Sequence, residues 1–312
     1  MIEGSGSYKL EGKLPKPFLR WAGGKRRIAK MLLENFPATY HSSNGRYFEP
    51  FLGGGAVAFA SGDPSSPSYI PGHKLILNDS NEELVNTYTV VRDQVYDLME
   101  ILDDLSEKVD AENYYEIRSS KPDNLVVRAA RFIYLNKTCY NGLWRVNSKG
   151  EFNVPFDKSS SGNFYDEENL IACSERLEGS LITHGSYRKA LGKVKEGDFV
   201  YLDPPYIPLS ATESFASYAK EGFTLEDHRA LAVAIEEIDK IGAHVLLSNS
   251  DTLHTREIFG QKLTLREIQM SRTIGSNPNS RKPVGEILGM NYDHPVGGSM
   301  SALTLIERKD QI

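Results

Sequence analysis

Residues 199–206 read Phe199-Val200-Tyr201-Leu202-Asp203-Pro204-Pro205-Tyr206. An apolar run cut off by an acid and two prolines reads as a strand that ends at Leu202, because proline cannot donate to a sheet ladder. A second apolar run, His244 to Ser248, reads as another strand. Between them, Leu225 to Ile241 has helical character, with Thr224 placed as its N-cap. Upstream, "RYFEPF" at 46–51 reads as a short strand that runs into Gly53-Gly54-Gly55, and the "AVAFA" that follows suits a helix opening. "KLIL" at 74–77 is a further strand, ending at Asn78-Asp79. Helices are expected at about 26–35, 82–105 and 126–136; in the second, Leu84, Val85, Tyr88, Val91, Val95 and Leu98 carry the spacing. Residues 139–156 hold Asn-Gly, Asn-Ser-Lys-Gly and a proline, which favours loops and a hairpin. Near the C-terminus, 263–271 with 287–292 or 303–306 suits an antiparallel hairpin. Alternating strands and helices give an α/β sheet. The stretch 81–180 differs in character and reads as a second domain inserted after the second strand.

The chain has 312 residues, 40% hydrophobic and 25% charged, enough apolar material for a core. Its formal net charge is −6, but the charge is uneven. Acids dominate 81–110, whereas Arg118, Lys121, Arg128, Arg131, Lys137, Arg145, Lys149 and Lys158 make the next stretch basic. Arg266, Arg272, Arg281 and Lys282 form a second basic cluster. Local sign matters more than the total, because salt screens charges beyond about 10 Å. The two cysteines, Cys139 and Cys173, lie in no CxxC and no zinc spacing, so a reducing compartment is the simplest reading and no metal is expected. There is no signal pattern and no apolar run of the roughly 20 residues a membrane span takes, so a cytoplasmic protein is expected. Residues 1–17 read as a mobile tail.

Asp203-Pro204-Pro205-Tyr206 is the strongest chemical element, since ligands of open α/β sheets bind beyond the carboxyl ends of strands. The Asp203 carboxylate and the Pro204 carbonyl are two acceptors. Aimed at an exocyclic amino group such as the N6 of adenine, they would draw the nitrogen towards tetrahedral geometry and free its lone pair. Tyr206 would stack on the base, a contact worth about 1–3 kcal/mol. The glycine loop after Glu49-Pro50-Phe51-Leu52 lets backbone approach a ligand, or is simply a tight turn. Asp79 follows the loop by 24 residues, at the end of the next strand, about where an acid meets ribose hydroxyls in nucleoside-binding sheets. It is equally placed to cap the next helix. Trp21-Ala22-Gly23-Gly24-Lys25 offers a ring and a cation; taken singly, such a tryptophan is core and such a lysine is solvated.

Together these elements resemble the α-group amino-methyltransferases, specifically the Dam-type DNA adenine methylases. The resemblance runs from about Pro17 to Arg308 and rests on "FLRWAGGK", "EPFLGGG", "YNGLWRVNSKGEFNVPF", "LDPPYIPLSATESFASY" and "LLSNSDTLHTRE" in the family's order. It implies a Rossmann-like S-adenosylmethionine-dependent sheet, mostly parallel with an antiparallel terminal hairpin. Residues 1–80 and 181–312 would form the catalytic domain. An inserted, mainly helical DNA-recognition domain with a β-hairpin would span 81–180. The resemblance further implies S-adenosylmethionine contacts by Trp21, Lys25, Phe51, Gly53, Gly55, Asp79 and Asp203, and an adenine framed by Asp203, Pro204 and Tyr206. Duplex DNA would be the partner and GATC the site, with Tyr140 as a wedge, Asn141 at the orphaned base, Leu143 and Pro155 at a thymine methyl and Arg145 on a guanine edge. Arg20 stands where relatives carry Lys, and Lys158 where an Arg is expected; both bear on the outer bases. Ser210, Thr212 and Ser214 in the loop 207–222, and the loop 272–283, are candidate phosphate contacts. The implied protein is a nucleoid-associated monomer, with a cognate restriction endonuclease as the alternative setting. Asp203 favours adenine over cytosine-N4 or protein-glutamine acceptors, whose enzymes bring Ser or Asn before Pro-Pro-Tyr. A binding module with a vestigial site would be free to lose Asp203 or the glycine loop.

Overall fold

The computed structural model describes residues 13–42, 45–66, 68–69, 72, 74–207, 223–268, 285–293 and 303–305. The loop candidates Ser210, Thr212 and Ser214, the loop 272–283 and most of the expected N-terminal tail lie outside them. Two compact units form. One comprises Met1–Lys30, Gly53–Pro71 and Asn81–His184; the other comprises Met31–Leu52, Gly72–Ser80 and Gly185–Ile312.

The second unit is built on a sheet. Strands β1 (Tyr47–Glu49), β2 (Leu75–Asp79), β4 (Phe199–Leu202) and β5 (His244–Ser250) are parallel, in the order β2-β1-β4-β5. Beyond β5 the sheet turns antiparallel through β7 (Glu286–Met290), β6 (Thr264–Ile268) and β8 (Leu303–Leu305). The sheet is therefore mixed, mostly parallel with antiparallel edge strands, as expected.

All of β4 is buried, because both faces of the sheet are covered. Val200 and Leu202 join Phe48, Ile76, Leu231 and Ile235 in one core. Successive side chains of a strand face opposite ways, so Phe199 meets Phe36, Tyr40 and Tyr47 instead. The helix Leu225–Ile241 has local causes at both ends. Thr224 and Asp227 form a reciprocal capping box, and Gly242 stops the helix in the left-handed conformation, at φ 84°.

The first unit is mainly helical. After α1 (Ala29–Glu34) in chain order, it holds α2 (Ala56–Ala60), α3 (Glu82–Asp93), α4 (Val95–Ser106), α5 (Ala111–Ser119), α6 (Leu125–Thr138), α7 (Glu167–Leu177) and a short strand, β3 (Leu181–His184). The single helix expected over 82–105 is two helices, broken at Gln94, whose backbone leaves the helical region at φ −141° and ψ 41°. The apolar period runs through the break (Tyr88, Val91, Val95, Leu98), so periodicity alone does not reveal it. Helix α6 packs against α3 and α4. The expected hairpin over 139–156 is a 3₁₀ turn, Tyr140–Gly142, followed by irregular chain with isolated bridges Cys139↔Phe156 and Val146↔Phe152. An aromatic cluster replaces a regular ladder there, with Trp144 and Phe156 packed against Tyr114, Tyr134 and Phe152. Both cysteines are free and buried. Burial pushes the Cys139 thiol up to about 11, an unreactive state. Among the described residues, no helix is long and apolar enough to cross a membrane.

Candidate active site and nucleic-acid interface

In the second unit, the segment Asp203–Ile207 leaves the carboxyl end of β4 and is held by three successive residues of β5. Register aligns Leu202 with Leu247, which brings the next residues of the two strands side by side. Ser248 Oγ donates to Asp203 Oδ1 at 2.9 Å. With its one proton so placed, Ser248 accepts from the Tyr201 hydroxyl, 2.9 Å away. The Asn249 side-chain oxygen accepts from the Ile207 N–H at 3.3 Å, and Ser250 Oγ donates to the Ile207 carbonyl at 2.7 Å. From the helix Leu225–Ile241, His228 Nε2 lies 2.9 Å from the Pro205 carbonyl. Burial raises the Tyr201 and Tyr206 phenols well above their ordinary range, with the Asp203 carboxylate adding to both shifts. Both stay neutral, and Tyr201 stays a donor. Pro204 is buried, and Asp203 and Tyr206 are half-buried. A strand end with a fixed carboxylate, a rigid Pro-Pro backbone and a half-buried ring can receive the N–H donors of a planar group.

The strand ends beside it are similarly tied. The Leu52 N–H donates to the Asn78 carbonyl at 3.0 Å, and Asn78 Nδ2 donates to the carbonyls of Pro50 at 3.1 Å and Gly185 at 3.0 Å. Asp79, half-buried, ends β2, and its carbonyl accepts from the Gly185 N–H at 2.9 Å. The cap of α3 is Asn81, whose side chain accepts from the Leu84 N–H, so the capping role open to Asp79 falls elsewhere. Phe51 stacks on Tyr187 at 5.2 Å and meets Phe223 edge-on at 5.7 Å.

In the first unit, the glycine loop closes on Trp21. A Cβ on Gly53 would lie 2.8 Å from Trp21 Cδ1, and one on Gly55 would lie 2.6 Å from the Tyr88 hydroxyl; both glycines have positive φ. Only glycine fits either position. Trp21 is half-buried and stacks near Phe132, with centroids 6.3 Å apart. Lys25 is buried, against the expectation for a lone lysine, and its ammonium donates to the Gly23 carbonyl at 2.7 Å. A cavity of about 370 Å³ is lined by Arg20, Trp21, Gly54, Asn141 and Leu143 among others. Arg145, Pro155 and Lys158 are exposed and do not line it. Tyr140 is 54% exposed and Leu143 42%, unusual for side chains of this size. Asn141 holds the left-handed conformation at φ 56°. The Arg145 guanidinium rests on Asn153 Oδ1 at 2.7 Å. Behind the turn, the Tyr140 N–H donates to the Pro155 carbonyl at 2.9 Å, and the Tyr114 hydroxyl to the Val154 carbonyl at 2.9 Å.

Residues 21–274 match the family model described as D12 class N6 adenine-specific DNA methyltransferase. The chain belongs to this family. It is 39% identical over 298 residues to the Type II methyltransferase M.MjaIII of Methanocaldococcus jannaschii, covering 89% of this chain and 99% of that one. It is 36% identical over 285 residues to the Type II methyltransferase M1.LlaDCHI of Lactococcus lactis subsp. cremoris, with 89% and 95% covered. It is 34% identical over 282 residues to the DNA adenine methylase of Escherichia coli, with 89% and 96% covered. As a member of the D12 class, the chain is a DNA adenine-N6 methyltransferase. In this methyltransferase, Ser248, Asn249, Ser250 and His228 are features that reading the sequence left without a role. For Ser248, Asn249 and Ser250 the signal is "LLSNSD", a polar triplet at the end of an otherwise apolar strand; His228, within the helix Leu225–Ile241, has no such local signal. Asn136, a buried amide in the apolar helix α6, carried no signal beyond its polarity.

Proposed function

We propose that this methyltransferase moves a methyl group from S-adenosylmethionine to the N6 of an adenine turned out of duplex DNA, within GATC. The observation that carries the reading is the clamp on Asp203–Ile207. Ser248 fixes one oxygen of Asp203, and the prolines and Asn249 fix the backbone, so carboxylate and carbonyl are set before substrate arrives. Preorganised acceptors need no reorganisation at the moment of reaction. Asp203 and the Pro204 carbonyl accept the two amino hydrogens, and Tyr206 stacks on the base. The N6 of a paired base is held inside the stack, so the base is flipped, at a cost of a few kcal/mol. Tyr140 fills the gap and offsets part of that cost.

Each unit by itself has features that suit an adenosyl cofactor. In the first, the Trp21 ring lies on the tight loop at Gly53 and Gly55, where backbone can approach a ligand. In the second, the acid Asp79 ends a strand, a position suited to ribose hydroxyls. Trp21, Lys25, Phe51, Gly53, Gly55, Asp79 and Asp203 would hold it. S-adenosylmethionine supplies an already activated methyl group. On the DNA side, Asn141 supports the orphaned partner base, Leu143 and Pro155 meet a thymine methyl, Arg145 reads a guanine edge, and Arg20 and Lys158 act at the outer bases. Residues 81–180 are the proposed DNA-recognition part, and residues 1–80 with 181–312 the proposed catalytic part.

A second setting is modification of another short site, beside a cognate restriction endonuclease. It is favoured by the relatives named Type II methyltransferase, at 39% and 36% identity against 34% for the Escherichia coli DNA adenine methylase. Transfer of labelled methyl to duplexes carrying GATC or GTTC, by the native protein and Asp203→Ala, tests both. Label on GATC alone, lost in the variant, is the expected result. Label on neither duplex but on genomic DNA would replace GATC with another site. No label on any DNA would end the reading.

A further inference from the structure

Two buried asparagines of the first unit hold the segment 16–20 in the same way. Asn169 Oδ1 accepts from the Lys16 N–H at 2.8 Å, and its Nδ2 donates to the Lys16 carbonyl at 2.9 Å. Asn136 Oδ1 accepts from the Arg20 N–H at 2.8 Å, and its Nδ2 donates to the Arg20 carbonyl at 2.8 Å. Each amide thus pairs with both backbone groups of one residue, as a neighbouring strand would. They differ in where the second amide hydrogen goes. Asn169 spends it within its own helix, towards Cys173 Sγ at 3.8 Å. Asn136 donates it to the Gly142 carbonyl at 3.3 Å, inside the turn Tyr140–Gly142.

The contact is tight from the turn's side too. A Cβ on Gly142 would sit 2.4 Å from Arg20 Cδ and 2.6 Å from Arg20 Cβ, and its φ of 62° already favours glycine. Trp21, next to Arg20, packs on the glycine loop, while Asn141 and Leu143 flank Gly142, and all of them line one cavity. Asn136 is fully buried and these partners take both of its amide N–H donors, so moving one loop without the other would break a buried hydrogen bond.

We infer that Asn136 is a positioning residue that ties the cofactor-side segment at Arg20–Trp21 to the DNA-reading turn, so that occupancy of the cofactor site sets how firmly DNA is held. The inference rests on the proposed roles of Trp21 and of Tyr140–Leu143. A link of this kind is measured as a ratio of affinities, and such ratios typically span about 5–150-fold.

The experiment uses the full chain and a duplex bearing the site it methylates. The dissociation constant for that duplex is measured by fluorescence anisotropy with and without S-adenosylhomocysteine, in the native protein, Asn136→Leu, Gly142→Ala and Asn169→Leu. The native ratio is expected to be at least about fivefold. It should fall below about twofold in Asn136→Leu and in Gly142→Ala, and stay native in Asn169→Leu. Asn136→Leu strands three backbone groups; if its melting curve shows that it does not fold, Gly142→Ala decides, because the buried amide is left in place. A ratio equal in Asn136→Leu and Asn169→Leu would make both asparagines mere anchors and overturn the inference. So would a native ratio of one. Methyl transfer by the same native preparation separates the two levels: transfer with no change of ratio sinks only this inference, whereas no transfer to any DNA sinks the functional reading and this inference with it.

Discussion

The segment Asp203–Ile207 and the turn Tyr140–Leu143 both present aromatic and polar groups, but they are held in opposite ways. Side chains of β5 and the helix Leu225–Ile241 bond to Asp203, Pro205 and Ile207 directly. Asp203 itself is thus fixed to Ser248, a fully buried residue of β5. In the turn, the support reaches backbone only: Asn136 holds Gly142, and the Pro155 carbonyl holds the Tyr140 N–H. Tyr140 and Leu143 project into solvent, 54% and 42% exposed. A reacting group needs its geometry before substrate arrives, because reorganisation would add to the barrier. A reading group meets a partner of variable shape, and a fixed backbone with free side chains serves that. Rigidity in this protein is placed atom by atom.

The largest expected effect breaks the rigid side. Asp203→Asn keeps shape and turns one acceptor into a donor. Its kcat should fall by about 10²–10³, the cost of one preorganised electrostatic group, with DNA affinity near native. A single-turnover rate within threefold of native would remove Asp203 from the chemistry. On the reading side, Arg145→Ala should lose about 1–3 kcal/mol of discrimination between the cognate duplex and one with its contacted guanine replaced. Stability should move by less than about 0.5 kcal/mol, because Arg145 is exposed. Equal loss on both duplexes would reassign it to a phosphate. Ser248→Ala sharpens the contrast. Freed of one bond, Asp203 should lower kcat by about tenfold with little change in cofactor KM, and the stranded Tyr201 hydroxyl should cost about 1–3 kcal/mol of stability. Tyr201→Phe/Ser248→Ala should recover part of that stability, measured by denaturant unfolding.

The last effect is electrostatic and shows only as pH changes. Burial, then the charges of Arg20 and Arg26, push the Lys137 ammonium down to about 8. Its unfolded value is about 10.4. The folded pKa is depressed, so between these values the unfolded chain binds a proton that the folded chain has released. Stability is therefore full above about pH 10.4 and falls as pH drops towards about 8. Melting temperatures measured from pH 10 to 8 should fall more steeply for the native protein than for Lys137→Met. Parallel curves would mean that Lys137 is well solvated.

Features with local causes were legible in the sequence. The helix Leu225–Ile241 was readable to the residue because Thr224 and Gly242 sit at its ends. "FVYL" was readable as a strand because both its faces are covered, so every position is apolar. The break at Gln94 was not, because the buried stripe continues through it. Nor was the burial of Lys25, since a lone lysine is ordinarily solvated.

By itself, then, the sequence determined the α/β alternation, the Asp-Pro-Pro-Tyr strand end, the glycine loop and the family they belong to, because each is written in neighbouring residues. Tertiary structure alone decided that Ser248 would hold Asp203, 45 positions apart, and that Asn136 would hold Arg20, 116 apart. Hydrogen bonds between residues that far apart depend on strand register and helix packing. Those follow from how the whole core closes, and no local pattern records them.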